Sequence, residues 1–152
     1  MTLDHKVPPP VVGALVAAGM WGLSLLGPQL SIPAVPKYAA VAMLVAAALA
    51  FDLVGLLAFR AARTTLNPLE PERATALVTG GVYRITRNPM YVGLLCTITA
   101  WAIYLGSPWG LPALPLYVWY VTRFQILPEE AALHRLFGAS YTAYCARVRR
   151  WI

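Results

Sequence analysis

The sequence predicts an all-α integral membrane protein with four transmembrane helices and a C-terminal cytoplasmic amphipathic helical segment. Hydrophobic residues make up 59% of the 152 residues and charged residues 12%, against roughly 45–50% and about 25% in soluble domains. A soluble domain of this size cannot bury so much apolar surface, so lipid is the expected solvent. The length predicts a single domain over residues 1–152.

Four apolar runs have, or nearly have, the roughly 17–25 residues that a helix needs to cross a bilayer. Backbone groups in lipid must pair within their own segment, so each run is predicted to be a helix. A cleaved signal peptide is the alternative for the first run; Asp4-His5-Lys6 is a poor basic leader and the run is too long for it. The predicted spans cover about residues 11–30, 37–59, 89–105 and 109–127.

The basic residues predict the orientation of these spans. With four spans, every Lys and Arg except Lys37 falls on one side of the membrane. The positive-inside rule makes that side cytoplasmic, with both termini on it. We therefore expect a multi-pass protein of a plasma membrane or bacterial inner membrane, with cytoplasmic segments at residues 60–88 and 128–152. This topology explains the net charge of +6, and no nucleic-acid-binding motif accompanies it.

The start of the third span combines a helix signal with a possible binding site. Asn88 is a favoured N-cap and Pro89 a favoured first helical residue. A helix N-terminus is also an anion site, because its amides are unpaired and its dipole is positive. Arg84 and Arg87 either add fixed charge to such a site or lie at the membrane edge.

Two adjacent acids, Glu129 and Glu130, stand on the side that otherwise carries positive charge. Three explanations are open. The acids interact with the helix dipole, or they pair with Arg84, Arg87 or Arg147, or they bind a cation.

A further acid, Asp52, lies within the second predicted span. A charge in lipid is costly, so such a residue is a functional candidate. The alternative is a structural one, in which Asp52 forms a polar contact between helices or lies near the cytoplasmic end of its span.

Several classes of site have no signal in the sequence. It contains no glycine-rich nucleotide loop, no Walker motif and no HExxH motif. His5 and His134 are isolated, so no metal site is expected, and Cys96 and Cys145 show no disulfide pattern. Any cofactor must therefore be held by the helices and the cytoplasmic segments themselves.

The C-terminal segment has an amphipathic pattern. Apolar residues recur at spacings of three and four, which indicates one or two helices with a single apolar face. Gly138 is the expected point of interruption. The face either lies on the membrane surface or packs on the bundle. The apolar residues are Leu133, Leu136, Phe137, Tyr141, Tyr144 and Val148.

Two cytoplasmic stretches, LVTGGVYRITRNPMYVG and PEEAALHRLFGASYTAYCARVRRWI, flank the hairpin of spans three and four. In this order they resemble the isoprenylcysteine carboxyl methyltransferase family and its phospholipid methyltransferase relatives, from about Thr75 to the C-terminus. The resemblance implies a small bacterial-type membrane enzyme, of the carboxyl O-methyltransferase type, that takes its methyl group from S-adenosyl-L-methionine. It assigns no catalytic residue. The cofactor-binding positions that it implies are Thr75, Ala76, Leu77, Val78, Tyr83, Asn88, Pro89, Met90, Tyr91 and Glu129.

The chemistry of that methyl donor suits these residue types. Its sulfonium is a cation, which the faces of Tyr83 and Tyr91 can attract. Glu129 can bind the tail ammonium or the ribose hydroxyls, and amides near Asn88 or Arg87 can bind the tail carboxylate. A dry site that positions both reactants favours methyl transfer to an anionic acceptor, because the charges neutralise.

Two positions depart from the pattern of the eukaryotic enzymes. Asn88 stands where they typically have a histidine, and Gln125 stands where an arginine is assigned to the substrate. Glutamine does not grip a carboxylate bidentately as arginine does. Arg123 would face another way, because two residues rotate a helical side chain by about 200°. Gln125 and Arg123 are the predicted substrate-binding positions.

The sequence thus predicts a membrane methyltransferase that acts on a lipophilic acceptor entering from the bilayer. The acceptor is open between a prenylcysteine-like carboxylate, a thiol, and a lipid amine such as that of a phospholipid. The alternatives are an NADPH-dependent reductase of the sterol type and a non-catalytic membrane protein.

Overall fold

The chain folds as a bundle of helices. The computed structural model describes residues 7–62 and 75–152, and in these two ranges every regular element is helical. The predicted all-α class is confirmed for this part of the chain. The α-helices of these ranges are α1 (Pro9–Ser24), α2 (Ala34–Ala62), α3 (Pro89–Leu105), α4 (Ala113–Val121) and α5 (Leu127–Cys145). Short 3-10 turns at Gly81–Arg84 and Pro108–Gly110 precede α3 and α4.

Among the described helices, α2 alone is long and apolar enough to cross a membrane, with 29 residues. α1 and α3 are apolar but shorter, at 16 and 17 residues. α4 has 9 residues before the helix changes its pitch. Helices therefore occupy much of each predicted span, whereas the crossing of the bilayer by all four stays a prediction.

The first predicted span forms a shorter helix than the sequence suggests. A helix is predicted to residue 30, but α1 ends at Ser24. Pro28 explains the difference, because it has no amide to donate and its ring clashes with the carbonyl four residues earlier, that of Ser24. The side chain of Gln29 donates to this carbonyl instead, with 2.8 Å between Nε2 and the oxygen.

α2 and α3 pack together through small residues. The buried positions of α2 are Ala48 and Gly55, and Gly93 is buried on α3. A methyl group added at Gly93 would lie 3.1 Å from the carbonyl oxygen of Ala48 and 2.5 Å from Oδ1 of Asp52. Apolar surface gives helices little drive to associate in lipid, so close backbone approach of this kind is what holds them together there.

α3 begins where the sequence predicts, with Asn88 as the N-cap and Pro89 as the first helical residue. The side chain of Asn88, however, makes no capping hydrogen bond. Its Nδ2 donates to the carbonyl oxygen of Arg150 at 2.9 Å. The backbone amide of Asn88 donates to Oγ1 of Thr86 at 3.1 Å. The start of α3 is therefore fixed to the C-terminal tail.

α4 and α5 form one helical rod through a π-helical turn at Thr122–Ile126. The fourth span is predicted to end near residue 127, but the helical structure continues without a break as far as Gly138. Pro128 explains the π turn, because it has no amide and its ring presses on the carbonyl four residues earlier. The amide of Leu127 bonds instead to the carbonyl of Thr122, five residues back.

The amphipathic C-terminal segment packs on the bundle. Gly138 interrupts it with a φ of 49°, a left-handed conformation that favours glycine, which confirms the predicted break. The buried residues are Tyr141, Tyr144 and Val148, which pack with Val82 and Tyr83 and beside Leu133 and Phe137. Leu136 is 44% exposed and does not pack with this cluster.

Gly93→Ala should lower the thermal unfolding temperature of the detergent-solubilised protein, because the added methyl group meets a backbone oxygen of α2. Overpacking of this kind costs about 1–3 kcal/mol. Gly19→Ala is the matched control, since a methyl group there meets nothing within 4 Å. An unfolding temperature for Gly93→Ala no lower than that of the control would contradict the close contact of α2 with α3.

Candidate functional site

A cluster of side-chain hydrogen bonds lies where α3 begins, α5 begins and the C-terminal tail ends. At the centre, Glu130 accepts hydrogen bonds from two guanidiniums. Nη2 of Arg87 lies 2.8 Å from Oε1, and Arg150 reaches Oε1 with Nε at 2.9 Å and Oε2 with Nη2 at 2.7 Å. Of the explanations left open for the two acids, pairing with an arginine holds for Glu130, with Arg87 among the named candidates and Arg150 not among them. We call this region the basic end, residues 75–91 and 127–152.

The tail folds back over the entrance to α3. The amide of Arg87 donates to the carbonyl oxygen of Arg149 at 3.0 Å. Oγ1 of Thr86 donates to the carbonyl oxygen of Arg150 at 3.1 Å, and the same oxygen accepts the bond from Asn88. Together with Glu130 on α5, these bonds join the start of α3, the start of α5 and the tail into one unit.

The neighbouring acid, Glu129, has a different partner. The hydroxyl of Tyr91 donates to Oε1 of Glu129 at 2.6 Å, within the roughly 2.5–2.7 Å typical of a hydrogen bond to a charged oxygen. Tyr83 lies near enough to both side chains to interact with them electrostatically. The structure therefore brings together Tyr83, Tyr91 and Glu129 from the Gly81–Arg84 turn, α3 and α5.

Tyr83 is held in this cluster by backbone and ring contacts. The hydroxyl of Tyr144 donates to the carbonyl oxygen of Tyr83 at 2.7 Å. The ring of Phe59 meets the Tyr83 ring edge-on, with centroids 5.6 Å apart. Burial raises the pKa of the Tyr83 phenol above its ordinary value, so the ring stays neutral and keeps its proton for donation.

Burial raises the pKa of Glu129 from 4.5 to about 7. The hydrogen bond from Tyr91 opposes this shift, and the charge of Glu130 adds to it. The two adjacent carboxyls therefore differ in kind. Glu130 is paired with two arginines, whereas Glu129 sits in surroundings that disfavour its charge. A carboxyl with so high a pKa is a candidate functional group, because a bound cation would favour its ionisation.

Two predicted cofactor positions lie at the first turn of α3 with different exposure. Pro89 is fully buried, whereas Met90 is 40% exposed. Both side chains lie against Gly55 of α2. Met90 is turned by about 100° from Tyr91 around the helix. Its role in a cofactor site stays a prediction, as does that of Pro89 and of Asn88.

The other predicted cofactor positions precede the Gly81–Arg84 turn. Leu77 and Val78 pack against the hydrophobic cluster that contains Tyr83. Thr75 is exposed and Ala76 half-buried. Their assignment to the cofactor also stays a prediction.

The two predicted substrate positions face opposite ways. Gln125 is completely buried in the π turn, and its Nε2 donates to the carbonyl oxygen of Val7 at 2.7 Å. Its Oε1 is buried and has no hydrogen-bond partner in the described part of the chain. Arg123 is exposed, with its guanidinium carbon 5.3 Å from the centre of the Phe124 ring. Of the two predicted substrate positions, the buried one therefore holds the neutral side-chain amide of Gln125, and the charged Arg123 lies at the surface.

Sequence reasoning missed two further polar side chains. Tyr117 is fully buried, and its hydroxyl has no partner among residues 7–62 and 75–152. Nε1 of Trp151 donates to Oγ1 of Thr122 at 3.2 Å, which fixes the tail to the π turn. Tyr117 lies in an apolar run, and the sequence gives no signal that sets it apart from its neighbours. The contact of Trp151 depends on where the tail folds back, which the local sequence does not show.

The fold and the site define a helical protein with a cluster of one acid and two tyrosines, Glu129, Tyr83 and Tyr91, at one end of its bundle. We call these three residues the acid–tyrosine cluster. Within the described ranges, no group of three or more His, Cys, Asp or Glu side chains is placed to hold a metal ion. The sequence model of the phospholipid methyltransferase family matches residues 36–140, more than half of the chain. The chain belongs to this family, which confirms the resemblance found in its motifs.

Curated relatives match parts of the chain. An uncharacterized protein of Haemophilus influenzae is 35% identical over 63 residues, 41% of this chain and 100% of that protein. Protein-S-isoprenylcysteine O-methyltransferase B of Arabidopsis thaliana is 35% identical over 85 residues, 56% of this chain and 43% of the relative. The corresponding enzyme of Tribolium castaneum is 38% identical over 72 residues, 47% of this chain and 26% of the relative. The chain thus spans less than half the length of these two methyltransferases. No solved structure matches it.

Glu130→Ala should lower the thermal unfolding temperature more than Arg149→Ala does. The first change leaves the guanidinium of Arg87, 11% exposed, without its partner, and such an unpaired group costs about 1–3 kcal/mol. Arg149 is exposed and bonds to the entrance of α3 through its backbone carbonyl, which alanine keeps. Equal unfolding temperatures for the two variants would mean that Glu130 does not hold the tail in place.

Proposed function

We propose that this protein is an S-adenosyl-L-methionine-dependent methyltransferase that acts on a lipophilic acceptor. The observation that carries the proposal is the 2.6 Å hydrogen bond between Tyr91 and Glu129 at the basic end. It joins an acid of raised pKa to the hydroxyl of a tyrosine, in a chain of the phospholipid methyltransferase family. An acid and aromatic faces are what a compact organic cation requires.

The side chains of the basic end fit this methyl donor. Glu129 would bind its ammonium group or its ribose hydroxyls, and a cation next to the carboxyl would favour the ionised form. The faces of Tyr83 and Tyr91 would attract the sulfonium. When bound, the donor supplies a methyl group on positively charged sulphur.

The first turn of α3 would hold the donor's carboxylate. Pro89 has no amide, and the amide of Asn88 already donates to Thr86. The amides of Met90 and Tyr91 have no partner within their own helix, and the positive end of the helix dipole lies beside them. Asn88 and Pro89 would thus contribute by positioning the backbone amides of Met90 and Tyr91. The wall of the site would be completed by Thr75, Ala76, Leu77 and Val78.

We propose four membrane spans near the predicted ranges, with both termini and the basic end in the cytoplasm. The length of α2, the apolar composition of α1 and α3, and the placement of every basic residue except Lys37 support this topology. Residues 1–152 would form one domain in a plasma membrane or bacterial inner membrane. The donor would enter from the cytoplasm and the acceptor from the bilayer.

The relatives support a lipophilic acceptor. Two of them are named for isoprenylcysteine and the family for phospholipid. These names are compatible with a carboxylate, a thiol or an amine as the methylated group. The neutral Gln125, which Val7 holds in the interior, offers no charge to a carboxylate.

The protein purified in detergent should bind S-adenosyl-L-methionine and not NADPH. Tyr91→Phe and Glu129→Gln should each weaken binding by at least about tenfold, since a hydrogen bond involving a charge contributes about 1.5–3 kcal/mol. Isothermal titration calorimetry measures both affinities.

Tyr104→Phe is the control for these variants, because Tyr104 is exposed and stacks on Trp101 away from the basic end. Parent-like binding by Glu129→Gln would refute the site. Binding of NADPH alone would favour a reductase, and binding of neither ligand would favour a non-catalytic protein.

The affinity for S-adenosyl-L-methionine should rise as the pH rises through about 7. The pKa of Glu129 in the folded protein is about 7, above its ordinary 4.5, so the carboxyl is neutral below that pH and charged above it. Affinity near pH 6 should therefore be about tenfold below its plateau. By the same linkage, the free protein should lose stability as the pH rises from 4.5 towards 7.

Calorimetric titrations between about pH 5.5 and 7.5 test this dependence. Glu129→Gln should bind weakly at every pH and lose the trend. A trend that persists unchanged in that variant would mean that another group is responsible.

A further inference from the structure

Two arginines and two isoleucines are exposed where the C-terminal tail runs beside the entrance to α3. Hydrogen bonds hold residues 84–88 alongside residues 149–152. The backbone amide of Arg87 donates to the carbonyl oxygen of Arg149 at 3.0 Å, and the carbonyl oxygen of Arg150 accepts two further bonds from side chains of the α3 entrance. The exposed side chains, which we call the tip patch, are Arg84, Ile85, Arg149 and Ile152.

The neighbours of the tip patch along the chain are turned inward. Thr86 is fully buried, and Trp151 is half-buried, with its Nε1 bonded to Thr122 at 3.2 Å. Ile85 is nevertheless 59% exposed and Ile152 is 68% exposed. A single exposed apolar side chain needs no explanation. Here, however, each isoleucine accompanies an exposed arginine on its own segment, so the patch combines apolar surface with positive charge.

The charges of Arg84 and Arg149 are not neutralised within the described part of the chain. No ion pair or side-chain hydrogen bond joins either guanidinium to another residue of these ranges. The acids of the same ranges are placed elsewhere. Glu130 pairs with two other arginines, Glu129 belongs to the acid–tyrosine cluster, and Asp52 lies on α2 against α3. The patch therefore presents two uncompensated positive charges beside apolar side chains.

The tip patch lies next to one end of a proposed membrane span. Ile85 precedes Pro89, the first residue of α3, by four residues. The headgroup region extends roughly 5–8 Å beyond the hydrocarbon core on each side of a bilayer, and four residues of chain can cross that depth. In the proposed topology, the patch is therefore at the level of the lipid head groups of the cytoplasmic leaflet.

We propose that the tip patch binds anionic phospholipids of that leaflet. The guanidiniums of Arg84 and Arg149 would bind lipid phosphates, to which an arginine can donate two parallel hydrogen bonds. Ile85 and Ile152 would lie among the first acyl carbons, as the apolar side chains of interfacial segments do. The inference rests on the proposed membrane topology and does not depend on the methyl-transfer chemistry.

An anionic lipid accounts for both halves of the patch. A small anion would pair with the arginines and leave the isoleucines in water, whereas a lipid carries phosphate and acyl chains on one molecule. Anionic lipids also attract basic segments at the cytoplasmic surface of a membrane. A lipid that touches both segments would add to the hydrogen bonds that hold the tail on the entrance to α3.

Two lipids with the same acyl chains test the charge preference of the patch. Dioleoylphosphatidylglycerol is anionic, and dioleoylphosphatidylcholine is zwitterionic. The protein in maltoside micelles is titrated with each lipid, and native mass spectrometry counts the bound molecules. A basic residue near an anionic lipid surface contributes about fivefold in affinity. The first phosphatidylglycerol should therefore bind at least about tenfold tighter than the first phosphatidylcholine.

Arg84→Gln and Arg149→Gln should each lower this preference by about three- to fivefold, and the double variant should keep less than about threefold. Lys37→Gln is the matched control. It removes one positive charge at the opposite end of α3, where Nζ of Lys37 lies 5.7 Å from the centre of the Tyr104 ring. Its preference should stay within about twofold of that of the parent. Absence of a preference in the parent, or a double variant that keeps it, would overturn the proposal.

The isoleucines separate a lipid from other anions. Ile85→Ser and Ile152→Ser together should weaken the binding of both lipids by at least about fivefold, because less apolar surface is buried, and should leave the charge preference in place. Inorganic phosphate should not displace phosphatidylglycerol, since it has no chains to contact the isoleucines. Displacement by phosphate would indicate a simple anion site, and tighter binding of hexaglutamate would indicate an acidic protein partner. Either result would overturn the lipid assignment.

The lipid preference and the binding of S-adenosyl-L-methionine can fail separately. A lipid preference without binding of the methyl donor would refute the proposed methyltransferase and leave the tip patch as assigned. Binding of the methyl donor without a lipid preference would refute the tip patch alone.

Discussion

The carboxylate of Glu130 is the contact on which the basic end depends. It accepts hydrogen bonds from Arg87 at the entrance to α3 and from Arg150 in the tail, so one side chain joins three segments that are distant in sequence. Because Glu129 is the adjacent residue, fixing Glu130 also fixes Glu129 opposite Tyr91. The ion-paired Glu130 thus positions Glu129, whose hydrogen bond comes from a tyrosine and not from an arginine.

The two glutamates acquire different chemistry from their surroundings. Two guanidiniums pair with Glu130, whereas burial raises the pKa of Glu129 to about 7. A carboxyl of this kind is neutral in part when the site is free, and a bound cation would restore its charge. This property separates a ligand-binding acid from a structural one, although both lie in one dipeptide at the start of α5.

The membrane imposes the second constraint, which is the close approach of α2 and α3. Helices in lipid gain little from burying apolar surface, so small residues must bring their backbones together. Gly93 meets this need and also leaves room for the carboxyl of Asp52. Gly93 therefore serves both the helix packing and the placement of an acidic side chain, and it lies two residues after Tyr91, which bonds to Glu129.

By itself, the sequence determined the helical class, the start of α3 at Asn88 and Pro89, the break at Gly138 and the family, because these follow from composition, local backbone rules and motif order. It also named Arg87 among three possible partners of the two adjacent acids, and the structure pairs it with Glu130. Only the tertiary structure decided that Arg150 also pairs with Glu130, that a π turn at Thr122–Ile126 joins α4 to α5 at Pro128, and that the hydroxyl of Tyr117 is buried without a hydrogen-bond partner among the described residues. These features depend on which distant segments meet, and the local periodicity of a chain carries no information about such meetings.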